Sequence, residues 1–225
     1  MRHEADDAKT QIQLQNITDA EAEALIVRSV ELFNEVRENW WQSEGREQGR
    51  VYPLCLAGIG PYGAYLANGA EYRGRYGVSK EVLRQFHARR MELLWNAGAD
   101  ILLIETQPSL QEALLEADLA EQLGADYWIS FTCGDDAHTW EGDDIRDCAK
   151  ALSENHPHLK MIGVNCVAPH LVSGLIENLK AGCGLPIGVY PNSGETYDPI
   201  TKTWSGTKDG VRFGDYAYRW MEEGA

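Results

Sequence analysis

Cys166 ends the run Leu159-Lys160-Met161-Ile162-Gly163-Val164-Asn165-Cys166, a short apolar strand that stops on a soft metal ligand where a loop begins. A thiolate there can bind zinc or act as a nucleophile. No Cys-x-x-Cys or His-x-x-x-His pair elsewhere in the chain completes a metal site around it. Glu105 ends a second run, Ile101-Leu102-Leu103-Ile104, and precedes Thr106-Gln107-Pro108. A carboxylate after four aliphatic residues points into the mouth of a sheet, where it can hold a substrate ammonium or act as a base. Asp100, at the other end of that run, reads as structural. A third strand runs into Tyr190-Pro191-Asn192-Ser193-Gly194-Glu195-Thr196-Tyr197-Asp198, a cluster of hydrogen-bonding groups suited to shaping a pocket.

The remaining candidates read as structure. A free cysteine is most often a small buried hydrophobe, and Cys133, Cys55, Cys148 and Cys183 fit that description. His170 follows Cys166 by four, but Pro169 between them favours a loop over a helix turn. His138, His156 and His158 lie in polar segments read as surface. Gly58-Ile59-Gly60-Pro61-Tyr62-Gly63 matches G-x-G-x-x-G literally, yet no helix opens inside it. Tyr65 to Tyr76 is instead polar and aromatic, with glycines at 69 and 74, so a long strand-to-helix loop covering a pocket is expected.

The elements that position these residues follow from periodicity. Five short apolar strands are expected at Val51–Ile59, Asp100–Glu105, Tyr127–Thr132, Lys160–Cys166 and Pro186–Pro191. Ile26, Val30 and Phe33 make one helical stripe, Leu83, Phe86, Leu93 and Leu94 a second, and Phe213, Tyr216, Ala217 and Trp220 a third. Thr18 with Glu21, and Ser109 with Glu112, have capping-box spacing. Asn96-Ala97-Gly98-Ala99-Asp100 and Leu123-Gly124-Ala125-Asp126 each end a helix on glycine and lead into a strand. Alternating strands and helices imply a parallel sheet. The inventory is three strands short of a closed eight-stranded barrel. Gly224-Ala225 repeats the glycine signal, so a strand is expected to follow it. Met1 to Asn16 has no strand pattern. Residues 1–17 are expected to be a polar tail and residues 18–225 a partial barrel domain, an incomplete (β/α)8 barrel open at both parallel edges.

Composition excludes several function classes. With 35 acidic against 20 basic residues and a net charge of −15, the chain lacks the basic surface that nucleic acid or an anionic membrane requires. No run approaches the roughly 20 apolar residues of a membrane span. The start, Met1-Arg2-His3-Glu4-Ala5-Asp6-Asp7, is too acidic for a signal peptide. Five scattered cysteines suit a reducing compartment, and a cytoplasmic location is expected.

Gly60-Pro61-Tyr62-Gly63-Ala64-Tyr65-Leu66-Ala67-Asn68-Gly69 with Glu71-Tyr72-Arg73-Gly74 resembles the long loop of the homocysteine S-methyltransferase family, of the type that uses S-methylmethionine or S-adenosylmethionine. Glu105-Thr106, Gly163-Val164-Asn165-Cys166 and Tyr190-Pro191-Asn192-Ser193-Gly194-Glu195 match its later strand ends in order. The resemblance implies a (β/α)8 barrel in which zinc holds homocysteine as a thiolate, with Cys166 as one of three cysteine ligands. It also implies that Glu105 holds the homocysteine ammonium and that Asn165 helps shape the substrate and metal pocket. The family's Gly-Gly-Cys-Cys segment, which would follow Gly224-Ala225, is not in the 225 residues, nor are its first two strands. The chain is therefore expected to hold strands three to seven of eight and to be inactive by itself. Two rivals stand beside this: a non-catalytic remnant or partner-completed subunit of the same fold, and a barrel hydrolase or isomerase using Cys166 as a metal-free nucleophile.

Overall fold

The structure is a computed structural model that describes residues 17–193, 196–198, 201–205 and 213–225. The expected tail, Met1 to Asn16, lies outside these residues, as do Gly194 and Glu195. Helix α1 (Asp19–Trp40) opens on the expected capping box. The Glu21 N–H donates to Thr18 Oγ1 at 3.2 Å, and the Thr18 N–H donates to Glu21 Oε2 at 2.8 Å. A π-helical turn, Trp41–Gly45, follows. Strand β1 (Leu56–Ile59) is shorter than expected. Pro53 has no N–H to give a ladder, and the neighbouring backbone groups are taken by side chains: Arg37 Nη1 donates to the Pro53 carbonyl at 3.1 Å, and the Cys55 N–H donates to Asp100 Oδ2 at 2.6 Å. Asp100, which also pairs with Arg37, is thus structural, as expected.

The chain continues through α2 (Tyr62–Tyr65), a 3-10 turn at Ala70–Tyr72, α3 (Lys80–Asn96), β2 (Ile101–Gln107), α4 (Leu110–Leu123) and β3 (Tyr127–Phe131). Then come α5 (Ile145–Asn155), β4 (Leu159–Asn165), α6 (Val172–Gly182) and β5 (Ile187–Tyr190), a hairpin of β6 (Thr196–Asp198) and β7 (Thr203–Ser205), and α7 (Phe213–Glu223). Gly98 and Gly124, with φ of 95° and 63°, end α3 and α4 in the left-handed conformation that glycine adopts without strain. Strands β2 and β3 begin directly after these turns, as expected.

The five central strands form one sheet in the order β1-β2-β3-β4-β5, and every pair is parallel. Crossovers between parallel strands are almost always right-handed, so sequential order places every connecting helix on one face. Neighbouring helices pack against each other along that face. This is the winding of a (β/α)8 barrel arc; a doubly wound sheet reverses its strand order. Among the described residues β1 and β5 each have a single partner in the sheet.

The core lies between sheet and helices, where Leu102, Ile104, Ile129, Phe131, Ile162 and Val164 meet Met91, Leu152, Leu175 and Leu179. Several sequence expectations need correction. Val30, Leu83, Leu94 and Trp220 are buried, but Phe33 and Phe213 are exposed, and the Arg37 guanidinium covers the Phe33 ring at 5.7 Å. His156 is buried, with Nδ1 2.9 Å from the Leu152 carbonyl, because it answers one of the orphan acceptors at the end of α5. The β6–β7 hairpin was not expected, since three-residue strands carry too little alternation to register.

Gly163 and Gly188 face each other in the β4–β5 register. A β-carbon on Gly163 would lie inside the Gly188 carbonyl, so the strands approach closely only because both residues lack side chains. Gly163→Ala is expected to cost about 3 kcal/mol by forcing β4 and β5 apart, measured as a lowered urea midpoint. Gly184→Ala, where nothing lies within 4 Å, is the control.

Candidate active site at the strand ends

β2 bulges where it reaches the mouth of the sheet: its register with β3 shifts between Ile104 and Gln107, and Thr106 takes a φ of 62°. Left-handed backbone is costly for a β-branched residue, about 1–3 kcal/mol. Cys166, directly after β4, is left-handed too, with φ 52°.

Asn165 holds both. Its side chain is 1% exposed. Oδ1 accepts from the Thr106 N–H at 2.9 Å and from Ser130 Oγ at 2.8 Å. Nδ2 donates to Thr106 Oγ1 at 2.8 Å and reaches Cys166 Sγ at 3.4 Å. One carboxamide therefore joins the ends of β2, β3 and β4. Ser130 Oγ also lies 2.5 Å from Tyr190 Oη at the end of β5.

Tyr190 in turn hydrogen-bonds Glu105. Burial pushes the Glu105 carboxyl above the usual carboxylate range, and the Tyr190 hydrogen bond partly offsets this. Gly58 leaves room for that carboxylate, since a β-carbon there would come 3.1 Å from Glu105 Oε1. The Tyr190 phenol is pushed up, first by desolvation and then by Glu105, with a further contribution from Cys166.

The structure thus brings the three sequence-predicted residues, Glu105, Asn165 and Cys166, into one polar cluster at the C-terminal ends of β2 and β4, which flank β3. Sequence reasoning passed over Ser130 and gave Tyr190 no individual role. Both left a signal: Ser130 is the polar interruption in Tyr127-Trp128-Ile129-Ser130-Phe131, and Tyr190 ends a strand.

The β1–α3 loop starts at the same end of the sheet. It leaves β1 at Gly60 and docks on the loop after β3, where the Arg75 N–H donates to Glu141 Oε1 at 2.5 Å and Arg75 Nη2 donates to the Glu141 carbonyl at 2.9 Å. The loop thus joins the ends of β1 and β3, which flank β2. A cavity of about 550 Å³ opens between the loop and Trp140, lined by Leu66, Asn68, Arg73, Arg75 and Tyr76.

Cys166 is half-buried, whereas Cys133, Cys148 and Cys55 are buried. Burial pushes the Cys133 thiol up to about 12 and also raises Cys148 and Cys55, which keeps them protonated. The hydrogen-bonding partners of Cys166 Sγ among the described residues are Thr106 Oγ1, at 3.9 Å, and Asn165; no histidine base stands beside it. Zinc needs at least three protein ligands, and at the mouth the described residues supply this single thiolate. They do not make a zinc site by themselves. Among the described residues, the three-donor group with spacing suited to a metal lies elsewhere, between α3 and α4: His87, Glu112 and Glu116.

Asn165→Ala is expected to destabilise the fold by about 2–4 kcal/mol, because it strands the Thr106 N–H and the Ser130 hydroxyl without partners. Asn165→Asp keeps the acceptor and loses the donor, so its urea midpoint is expected to fall between the two.

The homocysteine S-methyltransferase family profile matches residues 7–225. Homocysteine S-methyltransferase YbgG of Bacillus subtilis is 44% identical over 210 residues, covering 93% of this chain and 66% of the relative. The Escherichia coli homocysteine S-methyltransferase is 40% identical, with 93% and 67% covered. A selenocysteine methyltransferase of Astragalus bisulcatus is 38% identical, with 92% and 66% covered. The crystal structure of the homocysteine methyltransferase MmuM from Escherichia coli in its metallated form superposes with a TM-score of 0.79 at 34% identity, covering 95% of this chain and 67% of that one. The chain spans 66% of the length of the Bacillus relative. With the profile, the relatives and the superposed fold in agreement, the chain belongs to the homocysteine S-methyltransferase family.

Proposed function

We propose that the chain carries the substrate mouth of a homocysteine S-methyltransferase, which moves a methyl group from a sulfonium donor, S-methylmethionine or S-adenosylmethionine, to homocysteine and yields methionine. The observation that carries this reading is the convergence of Glu105, Asn165 and Cys166 on one hydrogen-bonded cluster, in a chain of this family.

Glu105 binds the homocysteine ammonium; its half-buried setting strengthens the attraction to a cation that displaces water there. Asn165 acts by position, holding Cys166 and Thr106 in their left-handed conformations. Cys166 would supply one of three thiolate ligands to a zinc ion, with the other two needed in addition to the described residues at the mouth; such an ion would favour the deprotonated substrate thiol at neutral pH. In the transfer, a sulfur lone pair forms the new bond to the methyl carbon, the carbon–sulfonium bond breaks, and the donor leaves as a neutral thioether. No helix among the described residues is long and apolar enough to cross a membrane. The five free cysteines suit a reducing compartment, and we place the protein in the cytoplasm.

On this reading the 225 residues by themselves bind under about 0.1 equivalent of zinc and form no methionine, while a chain extended to the length of its relatives does both. An extended chain that folds but neither binds zinc nor methylates homocysteine would favour the non-catalytic remnant. In the extended chain, Glu105→Gln is expected to raise the KM for homocysteine by roughly 10- to 100-fold, the value of a charge-assisted hydrogen bond, with a smaller change in kcat.

A further inference from the structure

Glu112 has the spacing of a capping-box partner for Ser109, yet only half of that box forms. The Glu112 N–H donates to Ser109 Oγ at 3.3 Å, while the Glu112 side chain turns inward. Its Oε1 accepts from the Tyr62 N–H at 2.7 Å and lies 2.8 Å from His87 Nε2. The other ring nitrogen, Nδ1, lies 3.0 Å from Glu116 Oε1 and 3.1 Å from Arg90 Nη2. That same Nη2 donates to the Gly60 carbonyl at 3.1 Å. His87, Glu112 and Glu116 are each 0% exposed. Two of these side chains, Arg90 and Glu112, therefore hold the chain on both sides of Pro61, at the root of the β1–α3 loop, with His87 between them and Glu116 beside it.

These donors have the composition of a metal site, but His87 Nε2 and Glu112 Oε1 stand at hydrogen-bond distance, and Nδ1 stands at ion-pair distance from Glu116, whose two oxygens accept no hydrogen bond among the described residues. Two atoms bound to tetrahedral zinc at its usual distances stand roughly 3.3 Å apart. The contacts here are shorter, and they use opposite nitrogens of one ring, which cannot both face a single ion. Arg90 already supplies a second cation, and the formal charges of His87 and Arg90 balance those of Glu112 and Glu116. Burial opposes charge on His87, but Glu116 and Glu112 outweigh it and raise its pKa from 6.5 to about 9. Burial raises the Glu116 carboxyl more than His87 lowers it.

We propose that His87, Arg90, Glu112 and Glu116 form a metal-free positioning network that holds the root of the loop 60–76 where it leaves the end of β1. Its consequence for catalysis rests on the function proposed above, but amide exchange tests the network without any turnover. In the full chain, Glu112→Ala is expected to speed exchange at residues 62–72 by about tenfold or more while amides of β2 to β4 stay unchanged. Glu112→Gln, which keeps an acceptor for the Tyr62 N–H, is expected to retain most of the protection, and His87→Gln to lose part of it. Should the alanine variant fail to fold, the two near-isosteric variants decide the matter. Uniform acceleration across the sheet, or none in 62–72, overturns the proposal. So does tight binding of zinc or cobalt that is lost in His87→Gln and kept in Cys166→Ser.

A pH series adds an independent readout. The groups facing the network are Glu112 and Glu116 from α4, Arg90 from α3 and Tyr76 from the loop, whose phenol burial and Glu112 keep protonated throughout. His87 has a raised folded pKa, so its stabilisation is present in full below 6.5 and is lost as pH rises through about 9. The urea midpoint of the parent chain is expected to fall across that window, and the fall to shrink in His87→Gln. An unchanged slope overturns the proposal.

Discussion

The mouth of this protein depends on the buried carboxamide of Asn165. Parallel strands held only by their ladders would be free to end independently, yet here β2, β3 and β4 share one side chain as a terminal tie. The tie offsets two strained backbones, since Thr106 and Cys166 can stay left-handed only where surrounding bonds over-determine them. Asparagine suits the task because it offers both acceptor and donor on one rigid plane without carrying charge into a buried place. A charged residue there would have demanded a counter-ion.

Around that tie the molecule separates two kinds of polar burial. At the strand ends, neutral hydroxyls and amides arrange Glu105 and Cys166 while leaving them partly accessible. Behind the sheet, between α3 and α4, full charges are buried and balanced against one another, with no path to solvent for His87, Glu112 or Glu116. Such buried pairs are weak evidence of net stability, because desolvation consumes much of their attraction. Specificity of placement is the better account of them here, since two of their hydrogen bonds end on the backbone of one loop.

Much of the frame was legible in the sequence. The run Leu159 to Cys166, the aliphatic run before Glu105 and the glycines at 98 and 124 are local signals, and each became the element that its spacing announced. The clustering of the three candidate residues was legible for the same reason: a polar side chain that ends an apolar strand stands out within a few residues. What escaped depends on contacts between distant positions. His87 sits in a helix beside Phe86 and offers no hint that two carboxylates about 25 to 29 residues onward enclose it. Glu112 shows the opposite failure. Its local pattern is a capping box, and a tertiary competitor, the Tyr62 N–H, takes the carboxylate away. Strand β1 was overextended because Cys55 and Leu54 look like strand residues, while Arg37 and Asp100 already hold the backbone there.

The β1–α3 loop is held at two places, by backbone hydrogen bonds at Gly60 and Tyr62 and by Glu141 at Arg75. A segment clamped this way cannot swing as a hinged flap. Its freedom is confined to the stretch between the clamps, where Gly69, with φ 77°, is the natural point of flexure. Motion of so short an arc belongs to the nanosecond-to-microsecond class of loop fluctuations rather than to slower domain closure. Changes in the cavity between the loop and Trp140 are thereby a matter of rapid breathing of a tethered arch and do not have to wait for a rare opening event.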